Sequence, residues 1–172
     1  MKSLNKLPFD LAKAVAVVLA AWYLIYCVQT PDDFHFIYGA NLIIHEAGHT
    51  IFVFFGQFLH VLGGSFMQVA IPELFAGYFF LRRDMLSGGI ILMWMGESLV
   101  EVARYAADAI VMQLPLLGGN DNVIHDWNWL LSDMHLLAYT PAISGAMRAI
   151  GIMILISGIV IAFAGSLKKK RE

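Results

Sequence analysis

Residues His45-Glu46-Ala47-Gly48-His49 form an HExxH pattern inside an apolar run. In a helix, positions i and i+4 share a face, so His45 and His49 can present both imidazoles to one metal ion. Glu46 sits beside them and can act as general base on a zinc-bound water. Zinc is the default ion, although imidazole also suits iron, copper and nickel. Three ionisable residues in an apolar stretch are costly. That cost favours a metal site over two histidines bonded to neighbouring helices.

A catalytic zinc takes a third protein ligand and keeps one position open. The polar, aromatic stretch 118–139 offers Asp121, His125, Asp126, Asp133 and His135. His125-Asp126 is the strongest pair, since one residue can ligate while the other orients it. Trp127 and Trp129 fit membrane-interface aromatics and can anchor a loop that dips onto the metal. A competing source is the set Glu97, Glu101, Arg104 and Asp108. Spaced 4, 3 and 4 apart, these fall within about 60° of helical arc. Such a charged stripe on an apolar helix must face protein or water. Arg104 is expected to pair with Glu101 and Asp108, and Arg148 to join that network. Asp108 is then a third ligand, a partner of a ligand, or half of an ion pair. His35 and His60 read as polar trim.

The elements that must position these residues are membrane spans. The 172 residues are 59% hydrophobic and 14% charged, with mean hydropathy +0.71. That is too little charge to coat a soluble domain. A net charge of −2 supplies no basic footprint for nucleic acid. The single Cys27 excludes a disulfide framework and a cysteine-cluster zinc site. A spanning helix takes about 20 apolar residues, and four are predicted: 14–28, 36–62, 88–114 and 143–167. Segment 65–81, interrupted by Pro72 and Glu73, reads as re-entrant, and 115–140 as an outer loop. Nine of the eleven Lys and Arg residues fall in three clusters: Lys2/Lys6/Lys13, Arg82/Arg83 and Lys168–Arg171. All three lie on the cytoplasmic side only if 65–81 dips and returns, which places both termini in the cytoplasm.

HEAGH in a membrane helix followed by a re-entrant element resembles the intramembrane zinc metallopeptidases of the site-2 protease kind. The resemblance implies zinc held by His45, His49 and an aspartate on a later span, with Glu46 as general base. That family's Asn-Pro and Asp-Gly motif is absent, and the nearest material is Gly119-Asn120-Asp121-Asn122. A weaker likeness is to the membrane gluzincins of the HtpX kind. There Arg104-Tyr105-Ala106-Ala107-Asp108 is similar to a Glu…Ala-Asp pattern, with Arg104 where a ligand glutamate would stand. The chain also resembles small bacterial membrane proteins that combine HEAGH with a later HDW, here His125-Asp126-Trp127.

The expected protein is an all-α integral protein of the bacterial inner membrane, one domain over 1–172. Its expected function is that of a zinc-dependent hydrolase, a peptidase acting near the outer face. Arg104 or Arg148 would stabilise the oxyanion. The expected partners are the lipid bilayer, a peptide or membrane-protein substrate, and a second copy in a homo-oligomer. Two alternatives stay open. One is an ion- or proton-coupled transport module built on Glu97, Glu101, Arg104 and Asp108. The other is a metal-stabilised assembly factor without turnover.

Overall fold

A computed structural model of the chain describes residues 8–115 and 124–167, and these are helical with no strand among them. The helices are α1 (Leu11–Gln29), α2 (Phe36–Phe52), α3 (Gln57–Leu81), α4 (Met85–Ala107), α5 (Asp126–Asp133) and α6 (Thr140–Gly165). Helices α1, α3, α4 and α6 are long and apolar enough to cross a membrane. Their outward faces carry exposed Val18, Leu19, Trp22, Leu74, Met153 and Val160. Such surfaces suit hydrocarbon and would be an association liability in water.

Helix α4 is the hub, packing on α1, α3 and α6. It lies antiparallel to α6, with Gly89 against Ala162 and Gly96 against Leu155 and Gly151. Small residues at these contacts let two backbones approach closely, the usual basis of helix pairing in lipid. Antiparallel α3 returns beside α4, with Gln68 opposite Glu101 and Phe80 opposite Gly88. The Asp10 N–H donates to Ser166 O at 2.9 Å, so the starts of α1 and α4 and the end of α6 share one end of the bundle. Lys13, Arg82 and Arg83 lie at that end. Lys2, Lys6, Asp121 and the Lys168–Arg171 run lie outside the described residues.

The expected division into a span at 36–62 and a re-entrant 65–81 is not what the chain adopts. The helix of the HExxH motif stops at Phe52, and a short 3-10 turn, Val53–Phe55, follows. Gly56 makes the break. Its φ of +90° and ψ of 163° are a conformation side chains disfavour. Residues 65–81 are instead the body of the 25-residue α3, which runs on through Gly63-Gly64 and buried Pro72. The glycine pair serves helix contact. A Cβ on Gly48 would meet Gly63 O at 2.2 Å, and one on Gly63 would meet Phe52 Cβ at 2.8 Å. Proline in mid-helix forfeits a hydrogen bond, which packing against neighbours can offset at membrane depth. The 17-residue α2 is therefore the short element. The other expected bounds shift less: 88–114 becomes α4 ending at Ala107, and 115–140 contains α5.

Candidate metal centre

Helices α2, α3, α4 and α5 surround one point. His45 and His49 project from the buried face of α2 toward α3 and the start of α5. There His45 Nε2 lies 3.0 Å and His49 Nε2 3.1 Å from the same oxygen, Asp126 Oδ2. Among the described residues, these three form the group that could hold a metal ion, with one ligand atom from each within 4.8 Å of the others. Ligands at the usual zinc distances of about 2.0–2.2 Å stand roughly 3.3 Å apart around a tetrahedron, close to the spacing found.

Each histidine is oriented from behind. His49 Nδ1 donates to the backbone oxygen of His60 at 2.8 Å, and His45 Nδ1 to Gln68 Oε1 at 3.1 Å. With Nδ1 carrying the proton, each Nε2 presents a lone pair toward Asp126, whose carboxylate is also an acceptor. Three acceptors facing one another are satisfied by a shared cation or by a proton on an imidazole. A second observation marks the same point. A Cβ built on Gly64 of α3 would lie 2.5 Å from His45 Nε2 and 2.6 Å from His49 Nε2. The cradle is open because position 64 has no side chain. The donor set of two imidazoles and one carboxylate, with the cradle, fits zinc.

Asp126 reaches this point because α5 is seated firmly. The Asp126 N–H donates to Tyr105 Oη at 3.0 Å. Trp127 Nε1 donates to Ser65 Oγ at 3.1 Å, and Asn128 Nδ2 to Ala109 O at 2.8 Å. The adjacent His125 does not join the group. Its Nδ1 accepts the Asn128 N–H as the cap of α5, and its Nε2 faces Asp108 Oδ2 at 3.3 Å. Of the expected pair, then, Asp126 meets the histidines and His125 orients α5.

The charged stripe divides by function. Asp108 accepts the backbone N–H groups of Gln113 and Leu114 at 2.9 Å each, and is not among the metal-holding residues. Glu97 and Glu101 both accept from Asn41 Nδ2, at 3.1 and 2.6 Å. The expected pairing of Arg104 with Glu101 and Asp108 is replaced. Arg104 instead donates to Pro31 O and pairs with Asp32 in the turn between α1 and α2. That turn comes within reach because α1 and α4 end at the same level of the bundle. Arg148 lines a separate cavity of about 470 Å³ with Glu97, Glu101 and Arg104.

The metal point opens into a cavity of about 1210 Å³, lined by Glu46, Tyr105, His60, Leu42 and Ile124 among others. Glu46 is exposed on α2 beside the two histidines. Trp129 is half-buried on α5. Sequence reasoning passed over Gln68, Tyr105 and Gly64. Gln68 and Tyr105 are ordinary polar residues in spans, and Gly64 carries the same signal as a helix break. No protein-family model, curated protein or solved structure matches the chain.

Proposed function

We propose that the protein is an integral membrane zinc hydrolase, most simply a peptidase. The observation that carries this is the convergence of His45, His49 and Asp126 beside Glu46 in a large open cavity. Held by those three residues, zinc supplies Lewis acidity to water and to an acyl carbonyl. Glu46, whose carboxylate borders the cavity, takes the proton of the attacking water. The water oxygen adds to the carbonyl carbon, the C–N bond breaks, and Glu46 returns the proton to the leaving amine. Tyr105 Oη accepts from the Asp126 N–H, so its own hydrogen is free to donate to the developing oxyanion.

Lys13, Arg82 and Arg83 support a cytoplasmic placement of their end of the bundle. The metal point lies toward the opposite end, near the α1–α2 turn and α5, so the substrate is a peptide segment at or near the outer membrane face. Cleavage of a fluorescence-quenched peptide mixture in detergent micelles tests the assignment. Wild-type protein should cleave and Glu46→Gln should not, with zinc retained in both. Undiminished cleavage by Glu46→Gln would overturn it.

One observation favours a second reading, ion or proton movement. The cavity of about 470 Å³ shares Glu101 and Arg104 with the larger one, so two cavities meet at the stripe. On that reading Glu97→Gln abolishes flux in proteoliposomes while sparing metal content, whereas the hydrolase reading predicts no flux to abolish.

A further inference from the structure

The two metal-facing histidines are oriented by different means. His49 Nδ1 meets a backbone carbonyl, which can only accept. His45 Nδ1 meets Gln68, whose amide can offer either a carbonyl or an NH₂. What turns Gln68 the right way is thus a separate question, and the answer lies along α4.

Trp94 Nε1, a donor only, donates to Asn41 Oδ1 at 2.8 Å, and Ser98 Oγ donates to the same oxygen at 3.3 Å. The Asn41 NH₂ is thereby turned toward Glu97 and Glu101. Glu101 Oε2 also receives Gln68 Nε2 at 3.0 Å. That oxygen already accepts the Asn41 NH₂ at 2.6 Å, so Gln68 gives Glu101 its NH₂ and His45 its carbonyl. His45 then carries its proton on Nδ1 and keeps the Nε2 lone pair for the metal. Every donor in the chain Trp94–Asn41–Glu101–Gln68–His45 has one direction open to it. Asn41 and Gln68 are buried, and Glu101 is half-buried at the cavity wall.

We propose that Glu101 and Gln68 are positioning residues that fix the His45 tautomer and so set the affinity of the site for zinc. The inference rests on the metal-centre reading above. It assigns the half-buried acid Glu101 a part in metal binding, rather than the lone ion pair with Arg104 that the stripe suggests.

The test is zinc affinity of the full chain in detergent micelles, by chelator competition, with ¹⁵N-histidine spectra of the zinc-loaded protein. Loss of a histidine's hydrogen-bond partner typically costs 10- to 100-fold in metal affinity. Gln68→Leu and Glu101→Leu should each weaken zinc by about that factor. The wild-type spectrum should show His45 protonated at Nδ1. Full affinity in a folded Gln68→Leu protein, or His45 protonated at Nε2 in the zinc-loaded wild type, would overturn the inference alone. Should Gln68→Leu not fold, Glu101→Leu and the wild-type tautomer decide it. A wild-type chain that binds no zinc would overturn the metal-centre reading as well.

Discussion

Asp126 Oδ2 lies 3.0 Å from His45 Nε2, although 81 residues separate the two in the chain. The contact joins the first residue of a short helix outside the long spans to the middle of α2. It depends on Tyr105 and Ser65, which hold α5 down through Asp126 N–H and Trp127. The site is thus assembled from four helices, and a change in any one of them reaches the metal point.

Gly64→Ala places a methyl group in the cradle, within about 2.6 Å of both Nε2 atoms. In an ordinary helix interior this substitution would be favourable by up to about 1 kcal/mol. Here zinc affinity should fall by at least a hundredfold while helicity by circular dichroism is kept. Chelator competition on the purified variant checks this, and unchanged affinity would show that the cradle is not where metal binds.

Glu46→Gln and Tyr105→Phe separate proton transfer from charge stabilisation. Removing the base should lower kcat by about 10²–10⁴-fold. Removing the phenol hydroxyl should lower it by about 10²–10³-fold with KM little changed. Zinc content should stay at wild-type level in Glu46→Gln, whereas Tyr105→Phe also removes the acceptor of the Asp126 N–H and should loosen zinc. Loss of zinc in Glu46→Gln would mean that Glu46 is structural.

Asp108 sets an acid limit on the segment that follows α4. Burial raises its carboxyl, but the Gln113 and Leu114 N–H groups and His125 outweigh burial and hold it below the ordinary carboxylate value. A group depressed in the folded state stabilises above its unfolded pKa, about 3.9 for aspartate. That contribution is lost as pH falls through the lower folded value. Amide exchange should therefore show Gln113 and Leu114 protected from pH 7 down to about 4 and progressively exposed below it. Asp108→Ala should lack this protection at every pH.

The pair of histidines was legible in the sequence and the group that meets them only in part. HExxH in an apolar run specified His45, His49 and Glu46, because helical spacing alone brings i and i+4 together. The His125-Asp126 dipeptide held the third group, but adjacency does not say which of two neighbours points inward. That choice is made by α5, whose cap uses Nδ1 of His125 while Nε2 faces Asp108, leaving Asp126 toward the histidines. Glycine misled most. Gly63-Gly64 and Gly56 look alike in sequence, yet only Gly56 breaks a helix. The others are read correctly only when the helix opposite them is known. Arg104 shows the same limit, since its partner Asp32 comes from a turn that sequence spacing does not place beside it.

His45, His49 and Asp126 are proposed to hold one metal ion together. Metal analysis of the full chain, purified under zinc-replete conditions beside Asp126→Ala and His125→Ala, tests it most directly. The predicted result is one zinc per chain in wild type, none retained by Asp126→Ala after mild chelation, and zinc still present in His125→Ala. Full zinc retention by Asp126→Ala, or none in the wild type, would contradict the account.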